Sequence, residues 1–145
     1  MSIRLAESDA DIGACLAVMR QLRPRLKDEH EFVTRVRRQQ QQGYLLAFVE
    51  DQGRTTCVAG FRLLENLAWG RFVYVDDLVT DETVRSRGHG EAMLNWLIDH
   101  ARRQDCDEFH LDSGVQRFGA HRFYLSHRMD ITAHHFGLRL RGAAG

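Results

Sequence analysis

At 145 residues, with 43% apolar and 28% charged side chains, the chain has the length and composition of one globular domain with a real core. Twenty basic residues balance twenty acidic ones, so no overall field recruits nucleic acid or a membrane surface, and any attraction for anions must be local. No apolar run reaches the length of a membrane span and the first residues carry no signal-like hydrophobic region, while Cys15, Cys57 and Cys106 are too few and too scattered for a disulfide framework. A single cytoplasmic domain over residues 1–145 is the expectation.

In chain order, Ile3-Arg4-Leu5 alternates as a short strand does, and Ser8-Asp9-Ala10-Asp11 offers an N-cap to an apolar series of Ile12, Leu16, Val18 and Met19. Pro24 stops that helix, since proline lacks the N–H a helix interior needs. Lys27 to Gln42 carries Phe32, Val33 and Val36 at helical spacing and predicts a second helix ending at Gly43. Its basic stretch, Arg35-Val36-Arg37-Arg38, reads as a solvated face rather than a nucleic-acid surface. Three strands follow as a meander, Tyr44 to Glu50, Thr55 to Leu64 and Phe72 to Thr80, on their β-branched and aromatic content.

The stretch Arg85-Ser86-Arg87-Gly88-His89-Gly90 separates the last of these strands from an amphipathic helix over about Glu91 to Ala101. Two glycines let the backbone curl so that successive N–H groups converge on an anion. The helix that follows adds four unpaired N–H groups and the positive end of its dipole. Two arginines flank the turn, and His89 is placed to contribute its backbone rather than its ring. A dinucleotide fingerprint needs a small residue where Met93 stands, and no P-loop Gly-Lys-Ser/Thr occurs. The turn therefore predicts grip on a different phosphate-bearing cofactor. Beyond it, Phe109 to Ser113 reads as a strand, Ala120 to Ser126 as a short helix, and Ile131 to Leu140 as one or two final strands.

Asp77-Leu78-Val79-Thr80 followed by Arg85-x-x-Gly88-x-Gly90 resembles motif A of the GNAT superfamily of N-acetyltransferases, at that family's spacing. The predicted order, β-α-α-β-β-β-α-β-α-β, is that of the GNAT fold, an α/β (α+β) architecture with a central mixed, mostly antiparallel sheet flanked by helices. The resemblance implies that the strands at Phe72–Thr80 and Phe109–Ser113 splay apart to admit the pantetheine arm of acetyl-CoA. It implies contacts to that co-substrate from Leu78, Val79, Thr80, Arg85, Ser86, Arg87, Gly88, His89, Gly90 and Glu91. Ser113, Ala120 and Tyr124 follow in a segment resembling the family's Asn-x-x-Ala-x-x-Phe/Leu-Tyr.

In that resemblance Tyr124 is the general acid. A phenol of pKa about 10 suits donation to a thiolate whose conjugate acid has a pKa near 8.5. The backbone N–H near Val79 is the expected donor to the thioester oxygen. Asp76 or Asp77 is the candidate base or water relay for the amine proton, and because strand neighbours face opposite ways only one can enter a cleft unless a bulge intervenes. Arg128-Met129 stands where the family usually has Gly-Phe, and Ser113 where it often has Asn.

The chain is thus expected to move an acetyl group from acetyl-CoA to a primary amine of a small molecule, peptide or protein by direct attack. The alternative is a non-catalytic acyl-CoA-binding sensor. No metal is expected, since His121, His127, His134 and His135 show no HExxH or Cys/His zinc spacing. His134 or His135 is instead a candidate for the acceptor pocket. A homodimer through the C-terminal strands is the expected assembly if the chain associates.

Overall fold

The computed structural model describes residues 1–142. They fall into two compact units, residues 1–110 and the residues from Leu111 onward.

In the first unit, β1 (Ser2–Leu5) leads to α1 (Asp9–Ala14), α2 (Leu16–Leu22) and α3 (Glu29–Gln40). The Ser8 hydroxyl accepts from the Asp11 N–H at 3.0 Å and caps α1. Where the periodicity predicts one helix, the chain breaks at Cys15, whose N–H reaches back only three residues, to the Ile12 carbonyl at 3.0 Å. Asp28 caps α3 by accepting from the Glu31 N–H at 2.8 Å. Within the basic stretch of α3, Arg37 is tied to the chain at the start of α1: it donates to Asp9 at 2.7 Å and to the Glu7 carbonyl at 2.9 Å.

Strands β2 (Tyr44–Asp51), β3 (Arg54–Asn66) and β4 (Gly70–Thr80) form the antiparallel meander, with β1 paired to β2. A short 3-10 turn (Glu82–Val84), α4 (His89–Arg103) and β5 (Glu108–Leu111) complete the mixed sheet in the order β1-β2-β3-β4-β5. Tyr44, Leu46 and Phe48 of β2, with Val58 and Val79, share one buried cluster with Ile12, Cys15, Leu16, Met19, Phe32 and Val36 of α1–α3. Met93, Leu94 and Leu97 of α4 are fully buried, and Phe61, whose side chain alternates to the opposite face from Gly60, lies edge-on to Trp96 and His100 of that helix. Trp96 stacks on His100 with ring centroids 5.2 Å apart, and Trp69 on His110 at 3.6 Å.

Two bulges interrupt the ladders. Val49 pairs with Cys57 and Glu50 with Thr55, leaving Thr56 extra on β3. Gly60 pairs with Asp77 and Phe61 with Val75, leaving Asp76 extra on β4.

The second unit holds α5 (Phe118–Ser126). Residues 127–142 contain no strand, which corrects the expectation of strands between Ile131 and Leu140. Phe136, Leu138 and Leu140 keep the alternation of a strand, but all three are exposed. Alternation marks a segment fit to pair, whereas a strand exists only where a ladder forms, and the described residues supply none here.

Candidate active site

The predicted phosphate turn is built on the end of β4. Asp81 organises its start: one carboxylate oxygen accepts from the Thr83 N–H at 3.1 Å and from Gln21 at 3.2 Å, the other from Arg54 at 2.7 Å. The Thr83 N–H foremost, with these side chains, holds the Asp81 carboxyl below its ordinary range. Gln21 also accepts from the Glu82 N–H at 3.0 Å. Sequence reasoning missed Asp81, Gln21 and Arg54. The Asp-Glu-Thr order at 81–83 is a recognisable cap signal, but its two side-chain partners lie far away in the chain.

Arg85, Ser86, Arg87 and Gly88 are exposed. Ser86 takes φ 68° and Gly88 φ 86°, two left-handed residues separated by one, so the turn curls as a concave run of amides. Gly88 caps α4 with no side-chain hydrogen bond. The first helical bond runs from the Ala92 N–H to the Gly88 carbonyl at 3.0 Å, so the N–H groups of Gly88, His89 and Gly90 have no acceptor within the helix. A concave amide run, an uncapped helix start and two exposed guanidinium groups are the kinds of donor that suit a polyanion.

Two neighbours fix the position of that helix start. The His89 ring is buried, with Nδ1 2.7 Å from the Thr56 hydroxyl at the first bulge. A Cβ on Gly90 would come within 3.1 Å of the Thr80 hydroxyl, so glycine lets the helix close on the strand end. Leu78, Val79 and Thr80 occupy the last positions of β4, paired with Ala59, Val58 and Cys57. On the other edge, the Asp107 N–H bonds the Arg71 carbonyl at 2.6 Å, so β5 begins beside the start of β4. With four residues against eleven, β5 ends before β4 does, and among the described residues the far part of that edge has no ladder partner.

The bulge at Asp76 brings Asp76 and Asp77 to one face, the condition stated above for both to be used. Arg62, opposite Tyr74 on β3, binds Asp76 through Nε at 3.0 Å and Nη2 at 2.9 Å. Arg62 also donates to Gln39 at 2.7 Å and lies over the Tyr44 ring. Arg23, at the end of α2, donates through Nε to Asp77 Oδ1 at 2.8 Å and through Nη2 to the same oxygen. Burial pushes the Asp77 carboxyl upward, and Arg23 opposes that shift.

In the second unit, Ser113 follows β5, and its hydroxyl oxygen is shielded from solvent with no hydrogen-bond partner. The His121 ring bonds the Gly114 carbonyl at 2.7 Å, tying the loop to α5. Ala120 and Tyr124 lie on α5, both half-buried, with the Tyr124 ring edge-on to Phe123. His135 sits 3.5 Å from Asp112.

Burial raises the Cys15 thiol to about 12 and the Cys57 thiol to about 11, which leaves neither a ready nucleophile near neutral pH. Among the described residues no group of three or more His, Cys, Asp or Glu side chains is placed to hold a metal ion, and no helix is long and apolar enough to cross a membrane.

The sequence profile of the Acetyltransferase (GNAT) family matches residues 16–128. An uncharacterized N-acetyltransferase of Bacillus subtilis (strain 168) is 31% identical over 93 residues, a match covering 64% of this chain and 65% of that protein. Among solved structures, an acetyltransferase of Trypanosoma brucei superposes with a TM-score of 0.81 at 19% identity, over 96% of this chain and 99% of that one. AAC(6')-Iy, bound to the bisubstrate analog CoA-S-monomethyl-acetylneamine, superposes with a TM-score of 0.82 at 13% identity, over 97% of both chains. At those identities the structural likeness is one of fold.

Proposed function

Because the chain belongs to the GNAT acetyltransferase family, we propose that it transfers the acetyl group of acetyl-CoA to a primary amine by direct attack while both are bound. The observation that carries this reading is the turn at Arg85–Gly90, where an uncapped helix start follows two left-handed residues between exposed arginines. A neighbour of the same fold holds a CoA-containing bisubstrate analog, which supports CoA as the polyanion.

Bound acetyl-CoA supplies an activated acyl thioester, and the chain's residues do the rest. The N–H groups from Gly88 to Gly90, with Arg85 and Arg87, grip the pyrophosphate. The open outer edge of β4 takes the pantetheine arm, past Leu78 and Thr80, and the backbone N–H near Val79 donates to the thioester oxygen as charge develops there. The amine nitrogen bonds the acetyl carbon, the carbon–sulfur bond breaks, and Tyr124 gives its proton to the departing sulfur. Of the two carboxylates, Asp77 is the better base, because burial raises its carboxyl above the ordinary range while Asp76 is closed in by Arg62. Most of the acceleration comes from holding amine and thioester in contact, an effect of roughly 7–11 kcal/mol.

One observation favours a second reading, a sensor that binds acyl-CoA without turnover: both carboxylates are already paired with arginines. One experiment separates the two. Acetyl-CoA at about 100 times its dissociation constant should stabilise the protein by roughly 2.7 kcal/mol, seen as a rise in unfolding midpoint, and Tyr124→Phe should keep that rise. An enzyme loses thiol release in this variant, whereas a sensor releases none in either form. Normal turnover by Tyr124→Phe removes the acid role, and no midpoint shift with acetyl-CoA removes the reading altogether.

A further inference from the structure

The two acidic pairs on the inner face of β4 differ in a way that bears on the acceptor. Asp76 and Arg62 are both largely enclosed, with side chains 22% and 20% exposed. Arg62 is held from three directions, by Asp76, by Gln39 and by the Tyr44 ring beneath it. Asp77 is equally enclosed at 15%, but its partner Arg23 is 56% exposed. Arg23 caps the end of α2 with non-helical dihedrals just before Pro24, so its side chain reaches in from a helix terminus and its guanidinium remains largely in solvent. Its Nε and Nη2 both donate to one oxygen, Oδ1, rather than forming the two-oxygen fork that an arginine–carboxylate pair can make. One pair is closed, and the other is hinged on an exposed cation.

An ammonium approaching Asp77 meets the carboxylate and the Arg23 guanidinium together, so attraction and repulsion offset one another. An acceptor that carries its own anion near the amine changes this balance. Its anion can take Arg23, its nitrogen can take Asp77, and four charges then alternate in sign. On the reading that Asp77 serves as base, we propose that Arg23 determines specificity for amines bearing a nearby carboxylate or phosphate, leaving Asp77 for that anion when the acceptor binds. Departure of Arg23 frees Asp77 to accept the proton of the attacking amine, so the correct acceptor completes the site. The same hinge resolves the conflict between a base role for Asp77 and its occupation by an arginine.

The test compares matched acceptors on the full chain: L-phenylalanine against 2-phenylethylamine for a carboxylate, and O-phosphoethanolamine against ethanolamine for a phosphate. The readout is the kcat/KM ratio of the anionic to the neutral member. Taking that ratio between protein variants cancels the intrinsic reactivity of each amine. The wild type should favour the anionic member of at least one pair by tenfold or more. Arg23→Ala should lower that ratio at least tenfold while retaining the neutral amine as substrate, and Arg23→Lys should keep most of it. Preference for the carboxylate pair, the phosphate pair or both identifies the anion.

An equal ratio in the wild type, or an unchanged ratio in Arg23→Ala, overturns the proposal. If none of these amines turns over, their dissociation constants with the CoA-loaded protein give the same ratio by calorimetry, and equal affinities overturn it as well. Acetyl-CoA binding with equal ratios leaves the acetyltransferase reading standing and removes Arg23 alone. Failure to bind acetyl-CoA removes both.

Discussion

Gly88 holds φ at 86° with open space around the position of a Cβ, so an added methyl group would meet no neighbour and only the backbone would object. Gly88→Ala should therefore cost about 1–2 kcal/mol, read as a lower urea midpoint, and should weaken acetyl-CoA binding by disturbing the amide run. At this scale the sequence was informative where chemistry is local. The glycines, the flanking arginines and the N–H groups of α4 lie within a few residues of one another. The reading credited the glycines with all the curvature, and Ser86 carries the first left-handed step instead. Partners distant in the chain were not legible: Arg23 meets Asp77 across 54 residues and Gln21 meets Asp81 across 60. Only the fold brings such pairs together, and the account of specificity rests on the first of them.

Helices and strands were read well wherever an apolar period ran long enough to bury one face. Strands β2, β3 and β4 and helices α3 and α4 all appear near their expected positions. Bulges were not legible, because an extra residue leaves the composition of a strand unchanged. The bulge at Asp76 nevertheless decides that both carboxylates share a face. The break at Cys15 and the missing C-terminal strands have the same origin: hydrogen-bond partners, not side-chain periods, settle them. Helix α4 also carries a pH-dependent element. His100 packs against Phe61 and Trp96 with Nε2 shielded and unpartnered, and burial lowers its pKa. The unfolded chain then binds this proton more readily than the folded one. Stability is therefore retained above the ordinary imidazole pKa of about 6.5 and declines as pH falls below it. His100→Phe should flatten that decline, and urea midpoints at pH 7.5 and 5.5 measure it.

For the whole molecule, the balance of twenty acidic and twenty basic residues confines strong attraction to places where the fold concentrates charge, as at the Arg85–Gly90 turn. The fold class was legible because the order of elements and one turn signature agreed, two levels of description pointing to the same architecture. Acceptor choice was less so, since it depends on side chains that several separate elements contribute. The ring pairs give the molecule a use of a different kind. Its two tryptophans, Trp69 and Trp96, are each stacked on a histidine, and a protonated imidazole in contact quenches an excited indole by taking its electron. The Trp96–His100 contact is thus a built-in optical probe: emission from Trp96 should dim on acidification and recover when the pH is restored. In Trp69→Phe the remaining signal comes from Trp96 alone. Its dimming should set in at lower pH than for indole beside a free imidazole, and should disappear in Trp69→Phe/His100→Phe, so a fluorimeter can follow the packing of α4 without an added dye.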